Sequence, residues 1–538
     1  MRRWNGWGDD AVHYPLPDQA ARYLVDLVGE GCPVPDASLA EVLSSVPASR
    51  LPAHPLVSTS PIDRLRHARG QSLPDWIALR SNGIGAFPDG MTFPAGVAYP
   101  TGDEDVRRLL DYSHRTGVRL IPYGGGTSVV GHINPLAGEV PSLTVDLSRL
   151  EYPTQIDEAN YLVSLAAGLR GPEIEGQLNP RGYTLGHFPQ SFELSTPGGW
   201  VATRSSGQQS YYYGRIEDLF AGGHVETPIG PLDLPGFPAS AAGPDLRHLI
   251  LGSEGRLGIL TRVVLRLRRL PETEHFFGVF FRDWESGVAA VRQIAQARIP
   301  VSMVRLSDPQ ETETTLALSG KDDLVSWADR GLRLLGYRQE RCLLIFGVTG
   351  SRRASGQARQ SAVALFRDQH GLFTGTAIGK IWRKSRFLTP YLRNTLWEKG
   401  YALDTLETVL PWSSLLVTAE TLKTLVREGL QEFGERVLVF AHLSHLYREG
   451  ASLYVTFLFR RSPDPEETLR RWQRLKTSAS RLIVSQGATI SHQHGVGQDH
   501  APYLPAEKGQ AGMVLLEAAR QALDPDGLLN PGKLLLER

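Results

Sequence analysis

Three glycine-rich runs between residues 90 and 270 constrain the fold of this chain more than any other feature. They are IPYGGGTSVVGH at 121–132, FELSTPGGWVATRSSGQQSYYYG at 192–214 and LILGSEGRLGILTRVVLRL at 249–267. Each places glycines and hydroxyls at the end of a predicted strand, where backbone N–H groups can converge on a phosphate. The spacing matches neither G-x-G-x-x-G nor a P-loop. A single run fits a plain glycine turn equally well, but three together predict a large, extended cofactor.

The composition limits the class of protein. With 538 residues the chain is long enough for two or three domains. Lys plus Arg and Asp plus Glu number 57 each, so no overall field attracts nucleic acid. Cys32 and Cys342 form no CxxC pair, which argues against a disulfide framework or a thiolate zinc site. Neither a secretory signal nor a run of about 20 apolar residues is present. We expect a globular, soluble protein in the cytoplasm or at the inner membrane face.

The order of predicted elements indicates an α+β fold. Residues 1–89 predict a mostly helical extension, 90–270 a domain of alternating short strands and helices, 271–500 a second sheet with covering helices, and 501–538 a C-terminal helical segment. The stretch ASLYVTFLF at 451–459 alternates as an edge or half-exposed strand does. The stretch GMVLLEAARQALDPDG predicts a helix that stops at Asp524.

Two histidine-rich stretches form the second chemical signal. They are HLSHLYREG at 442–450 and ISHQHGVG at 490–497. Imidazoles in such number can coordinate a divalent metal, the glycine turn can bind an anion, and the histidines can also be structural. The residues alone leave these three alternatives open.

The motifs together resemble the flavoproteins of the vanillyl-alcohol oxidase and p-cresol methylhydroxylase type. The resemblance rests on PYGGGTS, on STPGGWVATR with GRIEDL, on GSEGRLGI and on the terminal LNPGK. RWNGWG, GHFPQSFELSTPGGWVATRSSG, VRLSD and SHQHGVG extend it over nearly the whole chain to the alkylglycerone-phosphate synthases (alkyl-dihydroxyacetonephosphate synthases). It implies a PCMH-type FAD-binding domain of two α+β subdomains and a cap domain with an antiparallel sheet covered by helices.

The resemblance also assigns the cofactor site. It implies non-covalent FAD, because the first glycine run offers no histidine for attachment before His132. Relatives commonly carry an acidic residue where this chain has Gln190. The residues assigned to FAD are Pro122, Tyr123, Gly124, Gly125, Gly126, Thr127, Ser128, Gln190, Ser191, Phe192, Glu193, Leu194, Ser195, Thr196, Thr203, Arg204, Ser205, Ser206, Glu254, Gly255, Arg256, Leu257, Gly258, Ile259 and Leu260.

The family comparison argues against a metal. Metal-assisted 2-hydroxyacid dehydrogenases of this fold hold their ion with two histidines and a glutamate, and the matching positions here are Tyr447, Tyr454 and Gln493. A phenol, a second phenol and an amide are poor ligands for a zinc-like ion. We therefore predict no metal at the histidine stretches.

The same resemblance assigns catalytic residues. Tyr454 matches the family's proton acceptor, although a phenol with a pKa near 10 needs neighbouring cations to act as a base. His492 and His494 match the first and third members of a histidine triplet, in which Gln493 replaces the middle one. Arg305 and Arg393 match arginines of the substrate site and suit a phosphate. From the residues alone, Tyr454 would simply pack on its strand and both arginines would lie at the surface.

These assignments imply a flavin-dependent alkyl transferase without net redox change. It would exchange the acyl chain of 1-acyl-glycerone 3-phosphate for a long-chain fatty alcohol, with the flavin as electron sink. One alternative is an FAD-dependent oxidase or dehydrogenase of a hydroxylated substrate, such as a 2-hydroxy acid. Another is a flavin- or lipid-binding protein without activity. The sequence leaves open the alkyl chain length, contact with a membrane surface and assembly into a homodimer.

Overall fold

The computed structural model describes residues 2–81, 91–318 and 329–536. The domain boundary predicted between residues 89 and 90 lies outside this part of the chain. Within the described residues, no helix has both the length and the apolar character needed to cross a membrane.

Four short helices make up most of the regular structure before residue 81: α1 (Asp18–Val28), α2 (Leu39–Ser44), α3 (Pro61–Arg66) and α4 (Leu73–Arg80). Helices α2 and α4 begin with capping boxes, because Ser38 and Ser72 exchange hydrogen bonds with the acidic residue three positions later. The apolar face of α1 packs against Leu392 and Tyr401, far along the chain. The N-terminal region is therefore tied to the body of the protein.

Two sheets carry the glycine-rich runs. The first, in the order β1-β2-β4-β3, contains parallel pairs, and the second, in the order β5-β6-β10-β8-β9, is antiparallel. Strands β7 and β11 form a separate pair. The strands are β1 (Val57–Ser58), β2 (Gly96–Ala98), β3 (Arg119–Tyr123), β4 (Ser142–Asp146), β5 (Gln155–Asp157), β6 (Leu162–Ala166), β7 (Tyr183–Thr184), β8 (Phe220–Thr227), β9 (Gly230–Leu234), β10 (Ile259–Arg266) and β11 (Arg268–Arg269).

Helices of this region follow ordinary start and stop signals. They are α5 (Asp103–Thr116), α6 (Gly171–Leu178), α7 (Pro197–Thr203), α8 (Ser210–Tyr213), α9 (Ile216–Leu219) and α10 (Arg247–Ile250). Three acidic residues lie in the first turn of α5, where their negative charges interact favourably with the positive end of the helix dipole. The helix ends at Gly117, which takes the left-handed conformation with φ of 70°.

A seven-stranded antiparallel sheet forms the second half of the protein, in the order β15-β12-β14-β13-β17-β18-β16. Its strands are β12 (Thr273–Phe281), β13 (Met303–Ser307), β14 (Cys342–Gly350), β15 (Leu372–Phe373), β16 (Tyr401–Pro411), β17 (Leu438–Leu446) and β18 (Gly450–Arg460). The helices that accompany it are α11 (Trp284–Gln296), α12 (Pro309–Leu318), α13 (Arg352–Asp368), α14 (Ala377–Ser385), α15 (Thr389–Glu398), α16 (Trp412–Glu428) and α17 (Pro465–Ser485).

Strand β18 corrects one expectation from the sequence. The predicted edge or half-exposed strand is wrong, because β18 pairs with β17 on one side and with β16 on the other. All its residues are buried except Tyr454 and Arg460, which are half-buried. The polar positions Ser452 and Thr456 alternate with apolar ones because one face of the strand lies over a polar interior site instead of solvent.

The predicted C-terminal helix is confirmed as the part of α18 (Leu504–Leu523) that follows a break at Gly509, where φ is 66°, and it ends directly before Asp524. The Asp524 carboxylate accepts hydrogen bonds from the N–H groups of Leu528 and Leu529, at 3.0 and 2.9 Å. The backbone of Leu120 in β3 bonds to both Leu528 and Asn530. The end of the chain therefore returns to the sheet that carries the first glycine run.

Candidate active site

The first two glycine-rich runs pack against each other. A Cβ on Gly124 would collide with the hydroxyl of Thr196, and one on Gly125 with the carbonyl oxygen of Leu194. Gly126 has φ of +65°, in the left-handed region that favours glycine. The glycines are thus required where two segments predicted to hold FAD approach each other closely.

The third run packs at the same place, and we call this place the junction of the three runs. Gly255 faces the ring of Pro122, which belongs to the first run. A cleft is lined by Gly198 and Ala202 of the second run and by Gly255, Gly258 and Leu260 of the third. With no Cβ on three of these positions, the backbone can approach a bound ligand closely.

Two buried hydroxyls in the first two runs, those of Tyr123 and Ser206, lack a hydrogen-bond partner among the described residues. Buried polar groups in native proteins nearly always form hydrogen bonds, so these atoms indicate a ligand that carries polar groups. The narrow glycine-lined junction and the unpaired atoms fit a dinucleotide such as FAD.

Other predicted FAD residues use their side chains within the protein. The Ser195 hydroxyl accepts a hydrogen bond from the Trp200 indole at 2.7 Å, and the Ser205 hydroxyl lies 2.8 Å from His187 Nε2. Gln190 is exposed. The half-buried residues of the set are Pro122, Gly124, Thr127, Ser128, Ser191, Glu193, Leu194, Thr203 and Arg204, and the buried ones are Tyr123, Gly125, Gly126, Phe192, Ser195, Thr196, Ser205, Ser206, Glu254, Gly255, Arg256, Leu257, Gly258, Ile259 and Leu260.

The side chains of the third run mostly face away from the cleft. Leu257 and Ile259 lie in two hydrophobic cores, and Arg256 donates to the carbonyl oxygen of Leu529 at 2.9 Å. The carboxylate of Glu254 accepts hydrogen bonds from the N–H groups of Val496 and Gly497. This last contact connects the third run to the histidine turn, the segment 490–497.

Glu407 of β16 shows which of the three alternatives, a metal site, an anion-binding site or a structural turn, applies to the histidine turn. One oxygen of its buried carboxylate accepts hydrogen bonds from the N–H groups of His492 at 3.1 Å, Gln493 at 2.7 Å and His494 at 2.6 Å. The turn is therefore an anion-binding site whose anion is a carboxylate of the chain itself. Glu407 was not among the residues predicted from the sequence, because it lies 85 residues before His492.

Tyr454 lies beside the same turn. It is paired across the sheet with Glu407 on one side and with His442 on the other. Its ring stacks on His442 at 4.9 Å between centroids and meets His494 edge-on at 5.7 Å, and its hydroxyl donates to Thr405 at 3.2 Å. The structure thus brings together two residues predicted to be catalytic.

The electrostatic surroundings of Tyr454 differ from the expectation. Burial raises the pKa of its phenol above the ordinary value, and the hydrogen bond with Thr405 and the charge of Arg393 only partly oppose this rise. Burial lowers the pKa of His494, so its imidazole is neutral at pH 7. The phenol is therefore protonated at neutral pH, next to a neutral base.

The two predicted substrate arginines have different partners. Arg305 donates to Glu311 at 2.6 Å and lies 3.2 Å from His442 Nε2. Burial alone would raise the pKa of Glu311, but Arg305 and His442 outweigh it and lower this pKa to about 2. Arg393 donates to the carbonyl oxygen of Gln71 at 2.8 Å, and its Nη2 is buried without a partner among the described residues. Arg393 consequently keeps a free donor.

His492 belongs to a second group of side chains, which was not predicted from the sequence. Its Nε2 lies 2.6 Å from the hydroxyl of Tyr447, and the guanidinium of Arg215 donates to that hydroxyl at 2.9 Å. Its ring contacts His445, with 4.7 Å between centroids. HLSHLYREG and GRIEDL both drew attention in the sequence, but 232 residues separate Arg215 from Tyr447, so their contact was not visible.

Within the described residues, one group brings three ligand atoms close enough together for a metal ion: Asp103, His224 and Glu226. Arg107 pairs with Glu226 at 3.0 Å, and Arg262 with Asp103 at 3.4 Å. This group is a network of ion pairs around His224, and it shares no residue with the histidine turn.

Comparison with known proteins identifies the family. Residues 94–232 match the model of an FAD binding domain, and residues 270–534 match that of the FAD linked oxidases, C-terminal domain. An alkyldihydroxyacetonephosphate synthase of Dictyostelium discoideum is 31% identical over 479 residues, which cover 88% of this chain and 77% of that protein. The chain belongs to the alkyldihydroxyacetonephosphate synthase family. The prediction of FAD as cofactor is thereby confirmed.

Solved structures confirm the predicted fold. A structure of alkyldihydroxyacetonephosphate synthase superposes with a TM-score of 0.83 at 25% identity and covers 98% of both chains. p-Cresol methylhydroxylase superposes with a TM-score of 0.66 at 13% identity, over 94% of this chain and 99% of that one. This synthase family thus shares the α+β fold of the PCMH-type flavoproteins.

Proposed function

We propose that this family member exchanges the acyl chain of 1-acyl-glycerone 3-phosphate for a long-chain fatty alcohol, which forms an ether lipid precursor without net redox change. The observation that carries the proposal is the position of Tyr454, between two imidazoles and beside the histidine turn. The positions that hold metal ligands in hydroxyacid dehydrogenases of this fold carry Tyr447, Tyr454 and Gln493. The site is suited to move protons rather than to polarise a substrate with a metal.

FAD would be held at the junction of the three glycine-rich runs, and it supplies an electron-accepting ring next to the substrate. Non-covalent binding is supported by His132, the histidine of the first run. Its Nδ1 lies 2.8 Å from the hydroxyl of Ser128, and its Nε2 lies 3.0 Å from Glu254. The ring is buried, and both nitrogens face groups of the protein: Nδ1 bonds with a hydroxyl, and Nε2 lies against a carboxylate without forming a hydrogen bond.

Tyr454 takes the proton from C1 of the substrate in this proposal. Because burial raises the pKa of its phenol, its own proton must first move to a neighbouring base. In this proposal His494, neutral and edge-on to the ring, accepts that proton, and the hydroxyl first turns away from Thr405, to which it donates in the structure. Arg393 favours the resulting phenolate by its positive charge, which already acts to lower the pKa of Tyr454.

Arg393 also anchors the substrate phosphate. Its free Nη2 suits an oxygen of the phosphate, and its guanidinium stacks on Trp76, with 4.5 Å from Cζ to the ring centroid. Arg305 is bound to Glu311, so it contributes a guanidinium already fixed in orientation. In this proposal Arg393 binds the substrate phosphate, and Arg305 helps to orient the substrate.

Contact with the inner face of a membrane would deliver the long-chain substrates, and α14 is the element that supports it. Ile381 is 49% exposed, and the neighbouring Lys380, Arg383 and Lys384 are also exposed. An apolar side chain among basic ones is typical of a helix that lies on an anionic lipid surface. Shortly after α14, Phe387 stacks on Phe192 of the second glycine-rich run, at 5.2 Å. The helix therefore lies near the proposed cofactor site.

Two experiments test the proposal. Mixing the yellow protein anaerobically with palmitoyl-glycerone phosphate and hexadecanol should bleach the flavin only transiently. Stable reduction would favour an oxidase or dehydrogenase, and an unchanged spectrum would favour a silent pocket. For the membrane contact, co-sedimentation with vesicles that contain phosphatidylglycerol should fall when Lys380 and Lys384 are replaced by Glu. Replacing the exposed Arg352 and Arg353 of α13 by Glu provides a control with the same charge change.

A further inference from the structure

Arg215 makes a set of contacts that converges on His492. It lies in the loop between α8 and α9, and its guanidinium donates to the Tyr447 hydroxyl at 2.9 Å and to the carbonyl oxygen of His492 at 2.9 Å. The same group donates to the carbonyl oxygen of Arg204 at 3.1 Å and pairs with Glu217 at 3.2 Å. One cation thus connects the second glycine-rich run to the histidine turn and fixes the position of Tyr447.

The hydrogen bonds determine which nitrogen of His492 carries a hydrogen. A guanidinium can only donate, so the Tyr447 oxygen accepts from Arg215. The single hydrogen of the phenol then points to His492 Nε2, which lies 2.6 Å from that oxygen. Nε2 therefore accepts, and a neutral imidazole must carry its hydrogen on Nδ1.

The surroundings keep this imidazole neutral. The groups that face it are His445 of β17, Tyr447 in the turn between β17 and β18, Arg215, and His494 of its own turn. Burial lowers the pKa of His492 well below its ordinary value, and His445, Arg215 and His494 lower it further. The Glu407 carboxylate bonds to the backbone N–H of His492, and the groups that face the ring itself carry no negative charge at neutral pH that would favour the imidazolium.

We propose that Arg215 and Tyr447 are positioning residues that hold His492 as the neutral tautomer with hydrogen on Nδ1, so that it serves as a fixed hydrogen-bond donor. The use of this donor in turnover rests on the function proposed above, where a carboxylate leaves and an alcohol enters. A fixed donor stabilises a developing negative charge without being titrated itself. The two histidines of the turn then differ in role, since His494 beside Tyr454 accepts protons and His492 donates a hydrogen bond.

The tautomer can be measured independently of activity. In the FAD-loaded protein labelled with ¹⁵N-histidine, long-range ¹H–¹⁵N spectra distinguish the two ring nitrogens, and His492→Gln assigns the resonances of His492. We expect a protonated Nδ1 and an unprotonated Nε2 in the wild type. In Tyr447→Phe, which keeps the ring but loses the hydroxyl, His492 should become a mixture of tautomers, and Arg215→Gln should act in the same direction.

The kinetic consequence separates positioning from a general loss of structure. Tyr447→Phe should keep its FAD and lower kcat by about 10- to 100-fold, with KM changed by less than about threefold. Tyr337→Phe is the matched control, because it removes a hydroxyl bonded to the carbonyl oxygen of His370 at 2.7 Å in a separate core. It should leave both the tautomer and kcat unchanged.

Three results would overturn the inference: a hydrogen on Nε2 in the wild type, an unchanged tautomer in Tyr447→Phe, or a changed tautomer with unchanged kcat. Absence of ether product in the wild type would instead defeat the proposed function. The spectra would in that case still report whether the Arg215–Tyr447 pair holds His492 as proposed.

Discussion

The change Tyr454→Phe separates chemistry from structure at the proposed base. The variant keeps the ring, which stacks on His442 at 4.9 Å, and loses the hydroxyl that donates to Thr405 at 3.2 Å. One neutral hydrogen bond contributes about 0.5 to 1.5 kcal/mol to the free energy of unfolding. We therefore expect a loss of about 1 kcal/mol and a fall in Tm of no more than about 4 °C. Turnover should fall by about 10²- to 10⁴-fold, because the phenol no longer takes the C1 proton.

The assay for this variant combines three readouts on one preparation. Ether product is measured by mass spectrometry, FAD content by the absorbance of released flavin, and stability by thermal unfolding. Tyr337→Phe removes a hydroxyl from a distant core and should retain full turnover. Turnover near that of the wild type in Tyr454→Phe, with FAD bound, would refute the assignment of the base. Loss of FAD together with turnover would show that the hydroxyl has a structural role.

Three further changes test other parts of the site. In Gly125→Ala the added Cβ collides with the neighbouring segment, so FAD content after purification should fall severalfold, whereas Gly176→Ala meets nothing within 4 Å and should retain FAD. Glu311→Gln should lose roughly 3 kcal/mol of unfolding free energy at pH 7, as an upper limit, because the pKa of this carboxyl falls from 4.5 to about 2 on folding. That contribution is complete above pH 4.5 and disappears as pH falls toward 2, so urea titrations of both proteins should converge there; a constant difference would contradict the ion pair. Glu407→Gln weakens hydrogen bonds to three backbone N–H groups, and we expect a loss of about 2 kcal/mol and of turnover, while Glu449→Gln, an exposed change, should alter neither.

The sequence predicts the fold well where local patterns decide it. Glycines and hydroxyls after short strands indicated the three runs, and the structure shows why Gly125 cannot be larger. The prediction for β18 was wrong because alternation reveals only that the two faces of a strand differ. It does not reveal whether the polar face lies over solvent or over an interior site, and here Tyr454 lies over a site.

Prediction of the site had a similar limit. The resemblance placed Tyr454, His492 and His494 near each other, but it offered no partner for the turn that carries the histidines. Glu407 and Arg215 supply those partners from 85 and 277 residues away in the sequence. Such contacts form only when folding brings distant segments together, so no local sequence pattern predicts them. The raised pKa of Tyr454 was also invisible, because burial has to be known first.

The central claim is acyl-for-alkyl exchange without net redox change. The most direct measurement incubates the FAD-loaded protein with palmitoyl-glycerone phosphate and isotopically labelled hexadecanol, with no electron acceptor added, and quantifies products by mass spectrometry. The account predicts labelled ether product and an equal amount of free palmitate. A protein that binds both FAD and palmitoyl-glycerone phosphate but forms no ether, or that acts only when an electron acceptor is supplied, would contradict it.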